Sequence, residues 1–398
     1  MHILNIVVVG TGMFSTGRGT SGFGTILPAI GEWKRDGESI GSVTFVGTNG
    51  KHSSKAKEKF KQLALETGVS LDITVLPIGG VLDPEAYKKV IAEVPRPACA
   101  IVVVPDHLHF KVLKDCLEEG LPVLVVKPLA PTVSEAKELI RIAQDKKLYA
   151  AVEFHKRWDK ANLMIRDAMT QNKIGDPLYI LVEYSQRKSI PTEVFKAWSS
   201  QSSILQYLGI HYIDIVLFYT NATPIRVMAT GQKNWLIKQG IDTWDAIQCV
   251  IEWRLPSGAR FVQTVLTNWI DPETTSAMSD QKIKIIGTKG RFESDQKERG
   301  QKIVVDDSGI EEPNPDFCMV YGDRQGGKQW KGYGIDSITT FLNDVVDINN
   351  SNITLEQLQE IRPVFTVGLV STAVVEAAHL SLEQDSIWIP VDNSGTQT

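Results

Sequence analysis

Apolar and polar residues change rhythm once along this chain, near residue 154. Before that point, short Ile- and Val-rich runs alternate with segments of helical spacing. Ile3–Val9 is broken only by Asn5, and Val43–Val46, Ala98–Val104, Pro122–Val126 and Leu148–Phe154 are of the same type. Runs that are apolar at every position suit parallel strands buried on both faces. Between them lie helix candidates: one from about Ile26, Ser53–Leu65, His107–Glu119 closed by Gly120, and one opened by Thr132-Val133-Ser134-Glu135 that runs to about Lys147. Thr and Glu three apart make a capping box, and glycine ends a helix by taking a left-handed conformation. The alternation predicts a doubly wound parallel sheet.

After Phe154 the strands lengthen and alternate apolar with polar positions: Leu178–Glu183, Ile225–Thr230, Ala246–Arg254, Ala259–Thr267 and Lys282–Ile286. Alternation marks strands with one buried face, and few helices separate them, so a mostly antiparallel sheet is expected, one face of which packs on helices or another subunit. Helix candidates are Trp158–Gln171, Leu205–Tyr219, Asp336–Ile348 and Val364–Leu382. The fold class is α/β, with an N-terminal Rossmann domain at 1–154 and an α+β domain at 155–398. The tail after Val391 is polar and is expected to fray.

The first strand runs into Gly10-Thr11-Gly12-Met13-Phe14-Ser15, a G-x-G-x-x-S sequence. Glycines let the backbone turn tightly and approach a pyrophosphate, and serine is small enough for the third place. Gly17-Arg18-Gly19-Thr20-Ser21-Gly22 repeats the pattern without a strand before it, so the first match takes precedence. Gly10, Gly12, Met13 and Phe14 are therefore candidate NAD(P) contacts. At the end of the second strand the sequence reads Gly47-Thr48-Asn49-Gly50-Lys51-His52-Ser53-Ser54-Lys55, with no acid to hold an adenosine ribose. Thr48 and Asn49 are expected beside the cofactor. The hydroxyls and two lysines lean towards NADP, although solvated lysines explain them nearly as well.

Composition changes little. In 398 residues, 42% are hydrophobic, 22% are charged, and the net charge is -5. No basic excess points to nucleic acid. The most apolar run, Cys99–Pro105, is too short to cross a membrane, and no secretory signal is visible, so a cytoplasmic location is expected. Four cysteines, Cys99, Cys116, Cys249 and Cys318, form no CxxC pair and read as reduced, mostly buried thiols. No metal is expected: His107 and His109 are two apart and do not share a helix face.

Three further segments resemble the Gfo/Idh/MocA oxidoreductase family, which includes glucose-fructose oxidoreductase and inositol dehydrogenases. They are Pro105-Asp106-His107-Leu108-His109, Val126-Lys127-Pro128-Leu129-Ala130 in the place of the family's Glu-Lys-Pro, and Leu208-Gly209-Ile210-His211-Tyr212-Ile213-Asp214. Weaker echoes are Glu153-Phe154-His155-Lys156-Arg157-Trp158 and Ile286–Glu293. The resemblance implies a second domain with a large open sheet, often used to form a homodimer or homotetramer. It also implies hydride transfer between a nicotinamide and a secondary alcohol or ketone of a sugar, cyclitol or sugar nucleotide. Pro105, His109, Lys127 and Pro128 then line the cofactor. Three departures stand out: Val126 replaces a glutamate, Tyr207 replaces an acid four before the helix histidine, and the loop after Gly12 is about eight residues longer than the fingerprint needs.

Oxidising an alcohol requires a base for its hydroxyl proton. Lys127, at the carboxyl end of a parallel strand, points into the crevice where such sheets bind ligands. It is expected to orient the hydroxyl and share its proton, with His211 or Tyr207 completing the relay. Tyr207 lies either on the same helix face as His211 or in the loop before it. Arg157 and Trp158 are candidate substrate contacts, with a domain-interface salt bridge as an equal alternative for Arg157. Two other functions stay open on the same fold: a glycoside-cleaving enzyme that oxidises its substrate transiently through NAD, and a non-catalytic nucleotide-binding regulator.

Overall fold

The computed structural model describes residues 3–307, 309–322, 327–392 and 394, so the polar tail falls mostly outside the described residues. In chain order the first half runs β1 (Leu4–Val9), α1 (Met13–Thr16), α2 (Ile26–Arg35), β2 (Ile40–Val46), α3 (Gly50–Thr67), β3 (Ile73–Leu76), α4 (Ala86–Glu93), β4 (Ala98–Val102), α5 (His109–Glu118), β5 (Val123–Val126), α6 (Val133–Asp145) and β6 (Ala150–Glu153). Next come α7 (Lys160–Thr170), β7 (Pro177–Arg187), α8 (Ile210–Thr220), β8 (Thr223–Gln232), α9 (Trp235–Lys238), β9 (Ala246–Arg254), β10 (Arg260–Asp271), β11 (Ser279–Gly287) and β12 (Arg291–Asp295). The chain ends with two short hairpins, β13 (Ile303–Val305) with β14 (Gly309–Glu311) and β15 (Met319–Gly322) with β16 (Lys328–Lys331), then α10 (Tyr333–Asn349), α11 (Leu355–Ile361), α12 (Phe365–Glu383) and β17 (Ile389–Pro390).

The chain folds into two compact units that are not the sequential halves 1–154 and 155–398. The first takes 1–130, 134–158 and 316–368; the second takes 131–133, 159–315 and 369–398. The late segment joins the first unit because α10 is amphipathic. Its Ile335, Ile338, Phe341, Leu342 and Val345 share one buried cluster with Ile26, Ile30 and Trp33 of α2 and with Leu4, Ile6 and Val8 of β1. Burying each such side chain contributes about 1.5–3 kcal/mol. Polar ties add to it: Trp33 Nε1 donates to Asn343 (2.6 Å), and the Trp330 amide donates to Glu32 (2.8 Å).

The first unit carries a six-stranded sheet in the order β3-β2-β1-β4-β5-β6, with all pairs parallel. The order reverses between β1 and β4, and in such sheets ligands bind outside the carboxyl ends of the strands at that point. β1 and β4 are buried at every position, as their apolar runs predict. The second unit carries a seven-stranded sheet in the order β12-β11-β7-β10-β9-β8-β17. All its pairs are antiparallel except β7 with β10. Alternation decides its inner face, where Ile180, Val182, Ile251, Trp253, Val265 and Trp269 are buried. Gln263 Nε2 ties that face to α8 by donating to the Tyr212 carbonyl (2.9 Å). The four cysteines are free, with Cys99, Cys116 and Cys249 buried. Helix α12 is long and apolar enough to cross a bilayer, but 67% of its most apolar stretch is buried within the fold.

Candidate active site

The glycine turn follows β1 directly. Gly10 has φ +122°, and a Cβ there would lie 1.9 Å from the Val103 carbonyl oxygen, so no side chain fits. Around Gly12 a Cβ would meet nothing within 4 Å, which leaves the backbone open to an incoming group. Ser15, in the fingerprint's third place, is fully buried and donates its hydroxyl to the Gly10 carbonyl (2.8 Å), closing the turn. These residues fit a pyrophosphate: a forced glycine, open space at Gly12 and a small third residue. Met13 and Phe14 follow on the single turn of α1. That helix stops at Gly17, and residues 17–25 separate it from α2.

At the end of β2, Thr48 is exposed and Asn49 caps α3 by accepting from the Lys51 amide (2.9 Å). Pro105 heads a short 3-10 turn, Asp106–Leu108. His109 does not line the cofactor crevice as expected. It is fully buried, with Nδ1 2.6 Å from the Pro128 carbonyl oxygen and Nε2 2.9 Å from that of Val104. Its ring sits between the loops after β4 and β5, where the neutral imidazole can donate to one of the two carbonyls.

Lys127 follows β5, one residue after Val126, which pairs with Glu153 on β6. Burial lowers the Lys127 pKa to about 8, while Asp106 and Glu153 oppose that fall. Both carboxylates are themselves buried. Glu153 accepts from the Ser337 hydroxyl (2.8 Å) and faces Nδ1 of His155 (2.9 Å). The His155 ring lies among Phe14, Phe317 and Tyr333, with centroids 6.4, 5.2 and 5.6 Å away. An amine with this pKa is part neutral near neutral pH and can take or return a proton. Asp106, Glu153 and His155 were not picked out as site residues from the sequence. An acid inside the apolar run Ala150–Phe154 was the available signal.

Arg157 and Trp158 occupy the 3-10 turn His155–Trp158, after which the chain leaves the first unit, and Trp158 Nε1 donates to Thr340 (3.1 Å). Tyr207 and His211 belong to the second unit. A π turn, Leu205–Gly209, runs straight into α8, so Tyr207 is helical rather than in a loop. His211 is buried. Tyr207 packs among Phe195, Trp198 and Trp269, with centroids 5.0, 5.8 and 5.8 Å away. Among the described residues no group of three His, Cys, Asp or Glu side chains is arranged to hold a metal.

Two family models match. One described as "Oxidoreductase family, NAD-binding Rossmann fold" covers residues 4–154, and one described as "GFO/IDH/MocA C-terminal domain" covers 163–293. Inositol 2-dehydrogenase of Rhizobium meliloti is 21% identical over 288 residues, 71% of this chain and 78% of that one. The NADP(+) scyllo-inositol 2-dehydrogenase of Bacillus subtilis is 29% identical over 127 residues, 30% of this chain and 35% of that one. The match spans between 35% and 51% of the first curated relatives' length. Among solved structures, scyllo-inositol dehydrogenase from Lactobacillus casei with bound NAD(H) and scyllo-inositol aligns with a TM-score of 0.66 at 15% identity, over 98% of this chain and 99% of that one. With both family models matched in order over most of its length, the chain belongs to the GFO/IDH/MocA oxidoreductase family.

Proposed function

We propose that this protein is an NAD(P)-dependent dehydrogenase or ketoreductase acting on a secondary alcohol or ketone of a cyclitol, sugar or sugar-nucleotide-like molecule, with NADP(H) preferred. The observation that carries the reading is Lys127, held near a pKa of 8 between Asp106 and Glu153 at the carboxyl end of β5. The bound nicotinamide supplies the hydride acceptor or donor. The neutral Lys127 amine accepts the hydroxyl proton during oxidation, and its ammonium returns it during reduction. The two carboxylates keep the ammonium form accessible. His211 and Tyr207 are the further proton carriers of this proposal, and Arg157 and Trp158 its substrate contacts. Relatives named for inositol and the bound NAD(H) of a solved relative support the substrate class and cofactor. The absence of an acid between Gly47 and Lys55 supports NADP(H).

A homodimer or homotetramer through the open sheet belongs to the same proposal. Its outer face carries Tyr179, Leu181, Val262, Leu266 and Val250 on β7, β10 and β9, interspersed with Glu183, Thr264, Glu252 and Gln248. Light scattering on the purified protein reads that state, and a monomer removes this part.

The decisive assay follows nicotinamide absorbance with NADP+ and NAD+ against a panel of cyclitols, sugars and sugar nucleotides. Turnover of a secondary alcohol is expected. Sugar release without net nicotinamide change points instead to transient oxidation. Tight nucleotide binding with no turnover on the panel points to a regulator.

A further inference from the structure

Residues 17–24 interrupt the helix after the glycine turn, and the chemistry above does not use them. Their backbone is held in place. Gly17 has φ +71°, and a side chain there would meet the Gly22 carbonyl oxygen at 2.1 Å. Thr20 donates its amide (3.0 Å) and its hydroxyl (2.9 Å) to the Gly17 carbonyl. From α3, Lys59 donates to the carbonyls of Thr20 (2.9 Å) and Ser21 (3.2 Å), and its ammonium lies 5.4 Å from the Phe23 ring centre. The loop is thus stapled to α3, and Arg18 is carried at a set place.

Arg18 is half-buried, and burial pulls its pKa down. Its charge and that of Lys55 both reach His52, whose pKa falls through desolvation and these two cations. No acid occurs between Gly47 and Lys57. Arg18, His52 and Lys55 have no carboxylate partner among the described residues. Like charges that reach one another disfavour each other's charged forms unless an anion joins them. The place is the end of β2, where a Rossmann domain meets the adenosine ribose. That ribose carries a 2′-hydroxyl in NADH and a 2′-phosphate in NADPH.

We propose that Arg18, presented by the inserted loop, grips the 2′-phosphate of NADPH together with His52 and Lys55, making this loop the element that selects NADPH over NADH. The guanidinium fork matches phosphate oxygens in pairs, which a lysine ammonium does not. The inference rests on the NADP(H) preference stated under the proposed function.

The test is fluorescence titration of the full chain, stripped of nucleotide, with NADPH and with NADH, and displacement by 2′,5′-ADP and 5′-AMP. Arg18→Ala is expected to weaken NADPH about ten- to a hundredfold and leave NADH within about twofold. Displacement by 2′,5′-ADP weakens in parallel, and that by 5′-AMP does not. Arg18→Lys keeps the charge without the fork and falls between; it also serves as the reading if the alanine variant does not fold. A wild-type preference for NADPH that survives both substitutions overturns the role of Arg18 alone. Equal losses for NADPH and NADH overturn it too, because the loop then serves the whole nucleotide. Tighter wild-type binding of NADH overturns the cofactor preference, and the role of Arg18 with it.

Discussion

Each unit holds a partly buried nitrogen base, and the two are treated in opposite ways. His379, on α12 in the second unit, faces the Ser203 hydroxyl across 2.7 Å, and burial lowers its pKa to about 4. Lys127 in the first unit is also pulled down by burial, but Asp106 and Glu153 brake the fall, and it stops at about 8. Desolvation acts against the charged form in both places. The neighbours decide the outcome: a hydroxyl leaves the histidine neutral and inert, whereas carboxylates leave the lysine within working range. Burial alone therefore does not mark a functional base; burial opposed by charge does.

The largest way to break this contrast is Lys127→Ala. Turnover is expected to fall about a thousandfold while NADPH affinity by fluorescence stays within a few-fold. Near-normal turnover removes Lys127 from the chemistry. Next comes acid. The folded pKa of His379 lies below its unfolded value, so the unfolded chain binds more protons between the two. The stability that its neutral burial contributes is fully present above about pH 6.5 and is lost as pH falls towards 4. The loss is roughly 3 kcal/mol. Urea unfolding at neutral and acidic pH measures it, and His379→Gln should flatten the difference. A wild-type slope retained in that variant assigns the effect elsewhere.

Glu153→Gln sharpens the other side. With one carboxylate gone, the Lys127 pKa drops further, and the rising limb of the oxidation pH profile moves to lower pH. The reductive direction, which needs the ammonium, weakens at neutral pH by about tenfold. An unmoved profile means that Glu153 only packs against Ser337 and His155. The smallest effect expected is Tyr207→Phe, which keeps the ring among Phe195, Trp198 and Trp269. Turnover should fall about tenfold as the relay loses the phenol, and unchanged turnover removes Tyr207 from it.

The parts legible in the sequence were those with local causes. β1 and β4 show as unbroken apolar runs, and Gly10 stands where only glycine avoids the Val103 carbonyl. The antiparallel strands show through alternation. β3 was missed because this short strand of four residues is only partly buried. The return of 316–368 to the first unit has no local signature, since it follows from which surface α10 finds. Asp106 and Glu153 belong to the Lys127 site only because β4, β5 and β6 are neighbours. The enclosure of His109 was not legible for the same reason: besides the nearby Val104 carbonyl, its ring meets that of Pro128 in the loop after the next strand.

That late segment also sets a timetable for synthesis. The N-terminal sheet is translated first, yet α10, which shares its core, is encoded after almost the whole second unit. At ribosomal speeds, the apolar surface of α2 waits about fifteen to sixty seconds for its cover. During that interval Ile26, Ile30 and Trp33 stand open to any passing apolar chain. The nascent protein is therefore a natural client for a chaperone until residue 345 has cleared the exit tunnel.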